Sequence, residues 1–155
     1  MRKTIYSGTD AVSASNAVNK AIAAKVRGIK GKVAVGTNRA SNELRNAALY
    51  VLRGQRSGRV YRVPFTKKKY TASAPGESPA VRTGIFRLSW GIHNYIKKNG
   101  TQFEAIASIE SNIKAGKYLL GDILENGTGK MAKRPYKQKV KNMAMPKIRE
   151  IFKNL

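Results

Sequence analysis

The sequence predicts an α+β fold, with a small antiparallel sheet packed by helices. Residues 89–97 and 103–110 alternate apolar and polar side chains on either side of Asn99-Gly100, the dipeptide typical of a two-residue hairpin turn. Segments near both ends of the chain instead repeat apolar residues every three or four positions, as amphipathic helices do. Because the chain has 155 residues, we expect a single domain that spans residues 1–155.

Two helices are predicted before the sheet. The first covers residues 10–27, where Val18, Ile22 and Val26 recur at helical spacing, and we expect Gly28 to end it. Residues 31–36 then form either a short strand or a plain connector. The second helix covers about residues 38–53 and ends at Gly54.

Residues from about 55 to 82 are predicted to form a long basic arm. The stretch lacks helical periodicity, contains three prolines and is long for a connection, which is usual for functional loops. Part of it is expected to pair as a hairpin. The cations that we expect on the arm, facing DNA, are Arg56, Arg59, Arg62, Lys67, Lys68 and Lys69.

The central hairpin is expected to direct Trp90, Ile92, Phe103, Ala105 and Ala107 toward one core. A short helix is then predicted over residues 118–124. The tail repeats Val140, Ala144, Ile148 and Ile151 at helical spacing, so a C-terminal helix is predicted, and we expect Pro146 to kink or restart it.

Charge is the most unusual property of the composition. The chain has 31 Lys and Arg against 8 Asp and Glu, a net charge of +23. Such a charge opposes compaction unless a polyanion or acidic partners neutralise it, and DNA is the obvious candidate. The alternative is a basic surface that is merely solvated.

Several functional classes are not expected from the composition. There is no cysteine, so disulfides and thiolate zinc sites are excluded. No apolar run approaches the roughly 18 residues of a membrane span, so no membrane association is expected. The N-terminus has no apolar signal region, which predicts synthesis in the cytoplasm.

No catalytic, metal or cofactor site is expected. The segment Gly127-Thr128-Gly129-Lys130 invites comparison with a phosphate-binding loop, but Leu124 and Met131 stand where that loop needs Gly and Ser or Thr. His93, the only histidine, has no cysteines or clustered carboxylates to complete a metal site.

The loop at residues 125–136 brings cations and an aromatic side chain to one place. Gly127 and Gly129 are expected to supply a turn, and Pro135 to direct Tyr136 into an apolar pocket. We expect Arg134 to pair with a carboxylate, either Glu125 or one across an interface. The interface residues predicted in this loop are Glu125, Gly127, Gly129, Lys130, Arg134, Pro135 and Tyr136.

Four segments in this order resemble a known family, the head–tail joining (neck or tail-completion) proteins of long-tailed bacteriophages. That family carries Ala-Pro-Gly-Glu-x-Pro, then Thr-Gly-x-Leu-Arg-x-Ser, Tyr-Ala-x-x-Leu-Glu-x-Gly-Thr and Ala-Arg-Pro-Phe. The matching segments are Ala74–Pro79, Thr83–Ser89, Tyr118–Thr128 and Ala132–Tyr136, within about residues 40–155. The departures are Phe86 for Leu, Leu119 for Ala, Lys133 inserted before Arg134, and Tyr136 for Phe.

The resemblance implies a non-enzymatic structural protein of the virion. It implies a homo-oligomeric ring of about six or twelve subunits at the head–tail junction, in contact with other neck and tail proteins and open to double-stranded DNA. The alternative function is that of a sequence-independent nucleic-acid-binding protein, which the charge supports equally well. The oligomeric state discriminates between the two, since only the first requires a defined ring. A component of a contractile tail or injection machine is a third, weaker alternative.

Overall fold

The computed structural model describes residues 8–99 and 102–155, and its architecture is α+β, as predicted. The strands pair as three antiparallel two-stranded ribbons, β1–β2, β3–β4 and β5–β6. The elements in order are α1 (Gly8–Arg53), β1 (Val60–Arg62), β2 (Lys69–Thr71), α2 (Ile85–Leu88), β3 (Gly91–Asn99), β4 (Gln102–Glu110), β5 (Lys114–Ala115), β6 (Tyr118–Leu119), α3 (Leu120–Asn126) and α4 (Lys137–Lys153).

The N-terminal region is one helix of 46 residues, so the prediction of two helices separated by a break at residues 28–37 is wrong. Gly28 and Gly31 have helical backbone angles and open space around them. A glycine inside a helix costs up to about 1 kcal/mol relative to alanine, but it ends the helix only when it turns into the left-handed region. Neither glycine does so, and the helix continues to Arg53.

The C-terminal half of α1 forms the core together with α4 and the β3–β4 ribbon. The buried side chains of this core are Ala47, Ala48, Leu52, Tyr136, Val140 and Ala144. Many of them are alanines, which let helix backbones approach closely. Ser41, fully buried on α1, donates a hydrogen bond to the side chain of Asn94 on β3 and fixes the ribbon against the helix.

The predicted central hairpin is confirmed, with nine-residue strands paired Ile92 to Ile109 and Ile96 to Ala105. Its turn at Asn99-Gly100 extends outside the described residues. Directly paired residues point to the same face, so these two pairs face α1 and the alternate pairs point away from it. Trp90 precedes β3 instead of belonging to it, and its ring packs against the core.

The C-terminal elements differ slightly from the prediction. The short helix begins at Leu120, later than expected, because Tyr118 and Leu119 pair with β5. α4 runs through Pro146 as one helix and does not restart there. Within the described ranges, no helix is both long and apolar enough to cross a membrane.

Candidate functional site

The four sequence segments that carry the family resemblance meet in space. The backbone N–H of Gly76 donates to the carbonyl of Lys133 at 3.1 Å, and the hydroxyl of Ser78 donates to the carbonyl of Pro135 at 3.2 Å. The N–H of Arg134 donates to the carbonyl of Leu124 at 2.8 Å. The loop at residues 125–136 is therefore bonded on one side to the Ala-Pro-Gly-Glu segment and on the other to α3.

Tyr136 lies at the centre of this cluster, in the apolar pocket that was predicted for it. Its side chain is only 2% exposed, and the rings of Phe86 and Trp90 meet it edge-on with centroids 5.8 and 5.9 Å away. The Tyr136 hydroxyl donates to the carbonyl of Gly121 at 3.3 Å. Burial raises the pKa of Tyr136, and the negative charges of Glu125 and Asp122 raise it further. The phenol therefore stays neutral and anchors the start of α4.

Glu125 does not pair with Arg134, so the first of the two partners predicted for that arginine is wrong, and a carboxylate across an interface stays a prediction. The Glu125 carboxylate instead accepts the backbone N–H groups of Tyr136 and Lys137 at 2.9 and 3.1 Å. These are free donors at the start of α4, where the helix dipole also favours a negative charge. Glu125 is thus a capping residue, supplied by a different helix.

The turn at residues 127–131 needs one of its two glycines. Gly127 has a φ of 75°, and a Cβ on it would lie 2.7 Å from the carbonyl oxygen of Met131. Gly129 has open space and ordinary backbone angles, so other residues would fit there. Lys130 is exposed beside it and donates its backbone N–H to the hydroxyl of Thr128. The predicted turn is therefore enforced by Gly127 and not by Gly129.

Glu77 fastens the beginning of the basic arm to its end. Its carboxylate accepts the hydroxyl and the N–H of Ser57 at 2.7 and 3.1 Å and the N–H of Ala74 at 2.9 Å. These hydrogen bonds, foremost the one from the Ser57 hydroxyl, lower the pKa of Glu77 to about 2. This role was not indicated by any pattern beyond the position of Glu77 in the first matching segment.

Arg56 differs from the other cations predicted on the arm, because its side chain bonds within the fold. Its guanidinium donates to the carbonyls of Val51 at 2.9 Å and Pro79 at 3.0 Å, and thereby caps the end of α1. Burial lowers the pKa of Arg56, and the Glu77 charge opposes that effect. Arg56 therefore stabilises the fold and does not face outward with the arm. This role was not predicted, because Arg56 stands in sequence among cations that are exposed.

The remaining arm cations are all exposed. They lie on or next to the β1–β2 ribbon, namely Arg59, Arg62, Lys67, Lys68 and Lys69. At the ribbon's end, Phe65 is fully exposed and has a φ of 61°, a region that bulky side chains avoid. The arm thus exposes five cations to solvent, together with Phe65 at its tip, whose backbone is strained.

A cavity of about 450 Å³ opens beside the motif cluster. Its walls include Leu52, Phe86 and Leu124, and none of the described residues that line it is acidic. Three arginines do line it, Arg82, Arg87 and Arg134. The Nε of Arg87 is buried and has no acceptor among the described residues. The cavity therefore suits an apolar group that carries a negative charge.

The residues do not assemble into a recognisable metal site in the part of the chain that the structure describes, where no three His, Cys, Asp or Glu side chains cluster. His93 is exposed on the outer face of the β3–β4 ribbon, opposite Ser108.

Comparisons with known proteins do not assign the chain to a family. No protein-family model, no curated protein and no solved structure matches it.

Proposed function

We propose that the chain is a non-enzymatic structural protein of a tailed-phage virion, which assembles into a ring at the head–tail junction around a passage for double-stranded DNA. The observation that carries the proposal is the first half of α1, whose apolar side chains have no partner within the described part of the chain. The order and spacing of the four family-like segments support the choice of a head–tail junction as the place of that assembly.

The exposed apolar surface of α1 favours assembly with another subunit. Val18, Ile22 and Ile29 are 57%, 55% and 52% exposed, and every described residue from 10 to 29 is exposed. Scattered apolar residues are normal on a surface, but a continuous stripe of them marks an interaction site. Packing against another subunit removes this stripe from water.

The charge distribution supports a DNA passage. Eight carboxylates cannot neutralise 31 cations, so the net charge of +23 needs an external polyanion or an acidic partner. The exposed arm cations fit phosphate contacts, which hold DNA without reading its sequence. Such contacts suit a channel through which DNA of any sequence must move. Other neck and tail proteins are the remaining partners of the proposal.

Light scattering and negative-stain imaging of the purified protein test the proposal. We expect a closed ring, at a salt concentration that suppresses nucleic-acid binding. The double variant Ile22→Ser/Ile29→Ser should keep its helical circular dichroism and lose the ring. Val35→Ser is the matched control, because Val35 is 58% exposed and lies about 120° around the same helix from Ile29, away from the stripe.

The alternative is a sequence-independent nucleic-acid-binding protein. It predicts a monomer without DNA, and an affinity for duplex DNA that falls steeply with salt. A protein that stays monomeric at every concentration tested, yet binds DNA in this way, would replace the ring proposal with this alternative.

A further inference from the structure

The apolar stripe of α1 is one continuous feature, of which the fold covers only the second half. Apolar residues recur in alternating steps of four and seven, close to the helical period, at Val18, Ile22, Ile29, Val33, Ala40, Leu44 and Val51. Ala40 is fully buried, and Leu44 and Val51 pack against the core. Val18, Ile22 and Ile29 extend the same face beyond the domain into solvent.

The helix on which the exposed stripe lies is basic. Between residues 10 and 33 it carries one acid, Asp10, and the cations Lys20, Lys25, Arg27, Lys30 and Lys32. Two copies of this helix side by side would bring like charges together, which is unfavourable. Its partner surface should therefore combine apolar and acidic side chains.

The outer face of the β3–β4 ribbon combines apolar and acidic side chains, with two glutamates against one lysine, Lys97, which lies opposite Glu104. The register places Tyr95 beside Ile106, with Glu104 and Glu110 farther along the same face. Tyr95 is 48% exposed, and both glutamates are exposed without a salt bridge in the described part of the chain. A two-stranded ribbon is marginal by itself, and among the residues that the structure describes it is covered on its inner face alone, by α1.

The two surfaces also match in length. The exposed part of α1 has about 20 residues and spans about 30 Å at 1.5 Å per residue. Each strand of the ribbon has nine residues, which extend for about 30 Å. A helix laid along the ribbon therefore covers it from end to end.

We infer that the N-terminal half of α1 in one copy packs on the outer face of the β3–β4 ribbon of the next copy. The contact joins two different surfaces, and every copy carries both of them. Such a head-to-tail arrangement closes into a ring when the rotation from one subunit to the next allows it. The inference rests on the proposed assembly and names the surfaces that hold it together. In the assembly the ribbon is covered on both faces, by its own helix and by that of its neighbour.

Cysteine crosslinking tests this contact, because the chain contains no cysteine of its own. Ile22 lies near the middle of the exposed helix and Ile106 near the middle of β4, so the two meet whichever way the helix runs. We expect the double variant Ile22→Cys/Ile106→Cys, treated with a mild oxidant and with a short bismaleimide, to give a ladder of covalent multimers. A mixture of the two single variants should give only covalent dimers. Val35→Cys/Ile106→Cys, on the other side of the helix, should give no ladder.

The outcomes separate the interface from the assembly. Covalent dimers from Ile22→Cys alone would replace the inferred contact with a helix–helix contact. A ring seen by light scattering that never crosslinks between positions 22 and 106 would overturn the interface and leave the proposed function standing. A protein that remains monomeric would overturn both.

A charge variant gives a second measurement. Glu104→Lys/Glu110→Lys should raise the protein concentration needed for assembly at least tenfold, because it places cations against a basic helix. Glu150→Lys, an exposed position on α4, should leave that concentration unchanged. Equal effects of the two changes would contradict the inferred contact.

Discussion

The carboxylate of Glu125 accepts the backbone N–H of Tyr136 at 2.9 Å, so a residue in α3 caps the beginning of α4. The same oxygen accepts the N–H of Lys137, while the side chain of Lys137 forms a salt bridge of 2.9 Å with Asp122. Two carboxylates of one short helix thus hold the start of the next helix, and Tyr136 is fixed from both its backbone and its ring.

Removal of this cap should destabilise the fold. We expect Glu125→Ala to lower the free energy of unfolding by about 1–2 kcal/mol, the usual range for a lost helix cap. Glu125→Gln should lose less, because its amide oxygen still accepts hydrogen bonds. Urea denaturation measures both, with Glu150→Ala on the surface of α4 as the control. Equal losses from Glu125→Ala and the control would argue against the cap.

Gly121 and Tyr136 should be energetically coupled. A Cβ on Gly121 would lie 2.8 Å from the Tyr136 hydroxyl oxygen, and the buried ring has little room to move. We expect Gly121→Ala to cost about 1–3 kcal/mol, as overpacking does. In a Tyr136→Phe background the penalty should shrink, because the clashing oxygen is gone. A double-mutant cycle measures the coupling, and strictly additive effects would count against this contact.

Trp90 should contribute to stability through packing and not through its indole N–H. Its ring meets those of Phe86 and Tyr136, whereas its Nε1 is buried without an acceptor in the described part of the chain. We expect Trp90→Ala to cost roughly 3–5 kcal/mol. Trp90→Phe should cost clearly less, since it removes an unsatisfied donor and keeps an aromatic ring. Chemical denaturation compares them with Tyr50→Ala, whose ring is exposed; a silent Trp90→Ala would contradict the packing.

Glu77 should make stability depend on pH in the acid range. Its pKa is lowered from 4.5 to about 2 in the folded chain, so the unfolded chain takes up the proton first as pH falls. The stabilisation is therefore complete above about pH 5 and is lost progressively toward pH 2. Thermal melts across this range should show a steeper decline for the natural sequence than for Glu77→Gln. Parallel declines would mean that other carboxylates set the acid sensitivity.

The parts of the fold that follow from local patterning could be predicted from the sequence. The hairpin was predictable because one face of each strand packs against α1, and a shift of one residue would turn Ile92 and Ile109 away from that helix. The burial of Tyr136 was predictable from an aromatic placed behind a proline. Neither prediction required knowledge of distant contacts.

The parts that depend on competition between partners could not be predicted. Gly28 resembles a helix end in sequence, but nothing at that point offers the chain a better alternative to helix. Glu125 was equally able to pair with Arg134 or with free N–H groups, and only the position of α4 decides which. Arg56 stands in a row of exposed cations, and its role depends on Pro79, 23 residues away.

The continuity of α1 has a mechanical consequence. About 30 Å of helix stands outside a domain in which the rest of the same helix is clamped, so the free part turns rigidly with the core. A core rotation of about 10° moves the helix tip by about 5 Å, roughly one helical turn. Gly28 and Gly31 lie where this lever leaves its support. Their replacement by alanine would make the helix more rigid at this point. A small rotation of one copy would then be transmitted to its neighbour with less bending of the helix.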